Sequence, residues 1–183
     1  MKKQVLLGIG AVVVAAVLFF GYRIMTTGKL SPCDTVAFSQ GGIDAKVGYC
    51  RPSKRGRLIF GEKDAGAVVP FGKYWRLGAN AATEITFAKN VLFAGKPVSA
   101  GSYRMYAMPS ATSWKLILNS EVGKWGAFEA NHDKDVLTVE VPVEAAAAPV
   151  EQFTISFAGE PNGAKLVFAW DTTLVRVPLA AAN

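Results

Sequence analysis

The sequence predicts an all-β domain, an antiparallel β-sandwich of jelly-roll-like character, behind one N-terminal transmembrane helix. Three observations predict it: apolar residues recur at every second position over short runs, Gly, Pro and Asn separate the runs, and a long uncharged stretch lies near the N-terminus. The 183 residues leave room for one domain and an appendage, since compact domains commonly run to roughly 100–150 residues.

The appendage comes first. From Val5 to Tyr22 the chain reads VLLGIGAVVVAAVLFFGY without a charge, and about 18 helical residues nearly cover a hydrocarbon core of roughly 30 Å. Lys2 and Lys3 precede it, while Arg23 and Lys29 follow. The near balance of charge leaves orientation to analogy with secretory n-regions, which puts the N-terminus inside. Bulky LFFGYRIM follows the alanines where a cleavage site needs small residues, so the segment reads as an uncleaved anchor. Cys33 follows KLSP rather than a lipobox. Gly8, Ala11 and Ala15 put small residues at helical spacing, where a second helix can approach. The expected organisation is an anchor over 1–25, a turn-rich linker over 26–32 and an extracytoplasmic β-sandwich over 33–183. That places the protein in the inner membrane with its domain on the periplasmic side.

Lys2, Lys3, Arg23 and Lys29 supply four of the twenty basic residues, and no acid precedes Asp34, so the remainder carries sixteen basic against fourteen acidic residues. A nearly neutral domain gives no support to nucleic-acid binding, which needs basic residues concentrated on one face. The one basic cluster is RPSKRGR, Arg51 to Arg57. A solvated strand end, an anion site and a contact with acidic lipid headgroups are its three readings. Cys33 and Cys50 are an even count in a domain placed outside the cytoplasm. They read as a disulfide or as two separate buried thiols. With no companion His and no CxxC spacing they form no metal or redox motif.

The strands follow in order. TEITFA (83–88) puts Ile85 and Phe87 on one face; SYRMYAM (102–108) sets Tyr103, Met105 and Ala107 against Arg104, Tyr106 and Met108; WKLILN (114–119) sets Trp114, Leu116 and Leu118 against Lys115, Ile117 and Asn119. QFTISF, KLVFAW and TLVRV continue the pattern, with Phe153, Ile155, Phe157, Leu166, Phe168, Trp170, Leu174 and Val177 as inward residues. About nine short strands at regular spacing argue for a sandwich or barrel rather than alternating β and α units. Pro142 and Pro149 bracket EAAAAP (144–149), which reads as a connecting loop.

The segments YCRPSKRGRLIFG, VPFGKYWRLGANAATEITF, AGSYRMYAMP and WGAFEANHDKDVLTVEV resemble, in order, the bacterial family called domain of unknown function 2911, from about Ser31 to the C-terminus. The Trp-Arg-x-Gly-Ala-Asn element is its most specific part. The resemblance implies an exported all-β domain and brings no established activity. Members of that family commonly carry Glu directly after the Asn, where this chain has Ala81, and Thr where it has Glu84. An acid moved three places along a strand faces the other way, which argues against its use as a general base.

Candidate chemistry centres on GKYWRLGAN, Gly72 to Asn80. As a site, it gathers Arg76, Asn80, Arg51 and Arg57 around a carboxylate, phosphate or sugar, with Trp75 as a stacking wall. As a joint, it has Trp75 in the core, Gly78 in a conformation closed to other residues, Asn80 bonding a turn, and Arg76 paired with a carboxylate such as Glu84. His132, the single histidine, sits in ANHDKD beside Asp133 and Asp135, which reads as a surface loop between strands or as a weak cation site through the two acids. No phosphate-cradling loop, metal-ligand spacing or Gly-x-Ser-x-Gly elbow occurs in the sequence, so no cofactor or metal is expected. The reading is a non-enzymatic accessory or stabilising subunit, with the bilayer and other membrane subunits as partners, in a large energy-transducing or transport complex. The alternatives are a periplasmic domain binding a carbohydrate or small anion, and an unrecognised hydrolase using His132.

Overall fold

The computed structural model describes Gly10 and residues 13–21 and 30–182. Residues 13–21 are helical and exposed, Ala15 among them. The rest of the Val5–Tyr22 segment, including Gly8 and Ala11, and the linker as far as Lys29 lie outside the described residues. Among those described, no helix is long and apolar enough to cross a membrane.

The alternating runs become strands: β1 (Cys33–Gln40), β2 (Ile43–Cys50), β3 (Phe60–Gly61), β4 (Val69–Pro70), β5 (Thr83–Phe87), β6 (Val91–Phe93), β7 (Lys96–Val98), β8 (Gly101–Pro109), β9 (Ser113–Asn119), β10 (Asp135–Glu160) and β11 (Gly163–Ala181). Nine of them join in the order β1-β2-β5-β8-β9-β10-β11-β6-β7, while β3 and β4 pair separately and in parallel. The main sheet is antiparallel throughout. From β8 to β11 the order is that of the chain, a meander rather than the crossing order of a jelly roll.

One strand makes this a sandwich. β10 pairs with β9 as far as Pro142 and with β11 from Val143 onward, so it leaves one layer and enters the other. The second half of β10 returns across β1 and β2: Phe38 stacks on Phe157 with centroids 5.8 Å apart, and the Tyr49 hydroxyl donates to Ile155 O and accepts from Ile155 N. The EAAAAP run lies inside β10, which corrects the expected loop. It still leaves the ladder, because pairing jumps from Ala145↔Thr173 to Val150↔Asp171. A bulge there bends the strand between layers and tolerates Pro149, which has no N–H to give.

The same bulge explains one misplaced residue. Leu166, Phe168 and Trp170 are buried on one parity of β11, whereas Val175, Val177 and Leu179 are buried on the other. Asp171, at φ 53°, shifts the alternation by one. Val175 therefore takes the inward place expected of Leu174, which is half-buried like Phe157. The remaining inward candidates of these two strands, Phe153, Ile155, Leu166, Phe168, Trp170 and Val177, are buried.

β8 and β9 bury both faces. Tyr103, Met105, Ala107, Trp114, Leu116 and Leu118 join the main core, while Tyr106 and Ile117 form a second cluster with Ala130, against which Tyr74 and Met108 pack. Arg104 is only 1% exposed. Cys33 and Cys50 stand opposite each other in the β1–β2 register and form a disulfide, a bond that persists in oxidising compartments.

Candidate functional site

The GKYWRLGAN segment takes the place of β5 beside the end of β8. The β5–β8 ladder stops at Thr83↔Met105, and Trp75 then exchanges both backbone bonds with Ala107, at 2.8 and 2.9 Å. Successive side chains of an extended segment point to opposite sides. Trp75 thus enters the core, where its ring meets Phe60, Trp114, Phe153 and Trp170 at centroid distances of 5.0–5.9 Å, and Arg76 points the other way. The stacking wall expected of Trp75 is a core residue, 7% exposed.

The backbone then crosses the disulfide. Leu77 is buried with φ 56°, Gly78 has φ 143°, and a Cβ on Gly78 would lie 2.5 Å from Cys50 O. Only glycine fits that crossing. Ala79 N donates to Cys50 O, and Asn80, at φ 54°, donates from Nδ2 to Ser31 O at 3.2 Å. The Leu77–Asn80 half of the segment is a joint between the emerging chain and β2.

Arg76 opens into a cavity of about 540 Å³. Arg55, Arg57, Tyr74, Asn80 and Trp170 also line it, and among the described residues no Asp or Glu does. Arg57 is fixed by its own turn, donating to Lys54 O at 3.0 Å and Ser53 O at 2.6 Å. Arg55 donates from its backbone to Glu151 Oε1 and from its guanidinium to Leu30 O. Arg76 has no hydrogen bond or ion pair among the described residues, and its Nε is buried without a partner. Burial lowers its pKa, with Tyr74 opposing, yet an arginine keeps its charge.

Two expected partners are elsewhere. Glu84 sits opposite Arg104 in the β5–β8 register and accepts from Gly123 N at 2.6 Å, so it does not neutralise Arg76. Arg51 does not line the cavity: it pairs with Asp34 at 3.2 Å and donates to Thr154 Oγ1 and Phe153 O, tying β1, β2 and β10 together. The structure brings together Arg57, Trp75, Arg76 and Asn80 around the cavity, Trp75 as a core residue at its inner wall, and adds Arg55, Tyr74 and the loop at Gly126 and Ala127. Arg55 lay within the basic cluster that the sequence flagged. The loop is some fifty residues away along the chain, and its segment, WGAFEANHDKDVLTVEV, entered the sequence reading through the family resemblance and not as a site candidate.

Gly126 closes the floor. A Cβ there would stand 2.5 Å from Arg76 Cδ and 2.7 Å from Asn80 O. An unpaired buried polar atom costs about 1–3 kcal/mol, so Arg76→Met, which keeps the apolar stem, is expected to leave stability unchanged or raise it by about 1 kcal/mol. A denaturant titration checks this, and a marked loss of stability would assign Arg76 to the joint.

His132 lies on a short 3-10 turn, His132–Lys134, just before β10. Its Nδ1 faces Tyr106 Oη at 2.8 Å and Asp135 Oδ2 at 3.3 Å, and its Nε2 faces Glu129 at 3.3 Å. None of these partners is Ser, Thr or Cys. Tyr106 donates to Asp135 at 2.7 Å, and Asn119 donates to the other oxygen of Asp135 at 2.8 Å. Burial, followed by the bond to Asp135, pushes the Tyr106 pKa far up. The Glu129 bond raises the His132 pKa, against a smaller desolvation effect and with Asp135 reinforcing it. A raised folded pKa stabilises below the ordinary value near 6.5, and that contribution fades as pH rises through the folded pKa. His132→Gln is expected to lower the melting temperature near pH 5.5 and to leave it unchanged near pH 9. Among the described residues, no group of three or more His, Cys, Asp or Glu could hold a metal ion.

Neither a curated protein nor a solved structure matches the chain. The model of one family, described as Protein of unknown function (DUF2911), matches residues 31–179, which include every strand from β1 to β10 and every residue lining the cavity except Leu30, and the chain belongs to that family.

Proposed function

We propose that the protein is a non-enzymatic extracytoplasmic module, tethered to the inner membrane through Val5–Tyr22, that holds a small anionic group in the Arg76 cavity. Phosphate, carboxylate and acidic sugar share the chemistry that a guanidinium fork recognises. The observation that carries this reading is a cavity lined, among the described residues, by three arginines and no acid, one arginine with a buried, unpartnered Nε. The test is thermal unfolding of the full chain in detergent with inorganic phosphate, citrate or glucuronate, against chloride at equal ionic strength. Binding near saturation is worth about 2–3 kcal/mol, which for a domain of this size raises the melting temperature by roughly 5 °C or more. The shift should be absent in Arg76→Met. No shift from any of these anions would overturn the reading.

A second reading, an accessory or stabilising subunit of a larger membrane complex, is favoured by the helical residues 13–20. Val13, Val14, Val17, Leu18, Phe19 and Phe20 are 55–68% exposed, and such a surface needs lipid or protein around it. Extraction from native membranes in mild detergent tests it: a defined large particle supports the subunit reading, and a lone monomer or homodimer contradicts it.

A further inference from the structure

Apart from that helix, the exposed large hydrophobic residues gather around the cavity mouth. Leu30 and Val68 line the cavity, and Leu58 is bonded through its carbonyl to Val68 N. Trp125 and Phe128, 54% and 73% exposed, flank the lining residues Gly126 and Ala127. Val122 stands at the start of the same loop, and among the described residues only Val136 lies elsewhere, at the beginning of β10.

The loop is not free to fold these side chains away. Gly123 N donates to Glu84, Lys124 O accepts from Ala82 N, and Gly126 N donates to Asn80 O. The buried guanidinium of Arg104 donates to Phe128 O. With its backbone fixed at four points, the loop displays Trp125 and Phe128 outward. Interfacial membrane contacts have this composition, aromatic rings beside basic side chains, and here Lys124, Arg55 and Arg57 supply the charge.

The tether settles which surface this face meets. Leu30 and Ser31, where the described chain enters the domain, line the same cavity. The eight residue steps from Tyr22 to Leu30 can span at most about 28 Å. We infer that the cavity mouth is seated on the bilayer, with Trp125 and Phe128 entering the headgroup–acyl boundary and the arginines facing lipid phosphates. This rests on the membrane tether of the proposed function and names the source of the anion as the lipid surface.

Trp125 is its own probe. Of the four tryptophans, Trp75, Trp114 and Trp170 are buried, so acyl-brominated lipid should quench Trp125 alone. The full chain is reconstituted into phosphatidylglycerol–phosphatidylcholine vesicles with and without bromine, beside Trp125→Phe. The expected result is a loss of roughly a quarter of the emission in the wild type, one ring of four, and none in Trp125→Phe. Protein that floats with the vesicles but is not quenched, or is quenched equally in Trp125→Phe, overturns the seating and leaves the tether standing. Protein that does not float overturns both. Arg76-dependent stabilisation by free phosphate without quenching retains the anion site and overturns its assignment to lipid.

Discussion

Trp75→Ala is expected to destabilise the domain by about 3–5 kcal/mol, the range for removing a large aromatic side chain from a packed core. Trp75 is the one aromatic side chain of its segment in the main core, where Leu77 joins it. It stands between Trp114 of β9, Phe153 of β10 and Trp170 of β11, with Phe60 of β3 against it edge-on. The hole would touch both layers, and neither can close over it alone because β10 passes between them. At roughly 2–4 °C per kcal/mol for a domain of this size, the melting temperature should fall by roughly 6–20 °C. Trp75→Phe should lose less than half as much, because a ring remains in contact. A small loss in Trp75→Ala would contradict the placement of this ring in the core.

Reduction of Cys33–Cys50 should have the next largest effect. The bond closes a loop with a sequence separation of 17, worth about 3 kcal/mol in the chain-entropy account. Its position adds a local consequence. Cys50 O accepts from Ala79 N, and Gly78 passes so close that a Cβ would collide with that carbonyl. The disulfide thus holds the floor under the WRLGAN crossing as well as the β1–β2 hairpin. Reductant is expected to lower the melting temperature by roughly 6–12 °C, and a Cys33→Ser/Cys50→Ser variant should show the same drop and no further response to reductant.

The all-β class and most of the core were legible because period-two patterning is a local property of the chain. Phe153, Ile155, Leu166, Phe168 and Trp170 could be placed on the inner face from their spacing alone. Leu174 could not, since the parity changes at Asp171, whose positive φ leaves no mark in a hydrophobicity pattern. EAAAAP was misread for a related reason: two prolines suggest a loop, yet a bulge carries them within one bent strand. The candidate site was half legible. Arg57, Arg76 and Asn80 meet at one cavity, which Trp75 lines only from the core, whereas Arg51 turns to Asp34. Arg51 and Arg76 are the same residue type, and only the tertiary register decides that one finds a carboxylate and the other does not.

That difference is the centre of the functional account. A half-buried arginine without a counter-charge is costly to the fold, and a ligand that brings the missing anion offsets the cost. The most direct measurement is isothermal titration of the full-length protein in detergent with inorganic phosphate at constant ionic strength, with Arg76→Met beside it. The account expects one saturable site per chain, weakened about tenfold or more, at least 1.4 kcal/mol, in the variant. Heats that do not saturate, or an affinity unchanged in Arg76→Met, would contradict it.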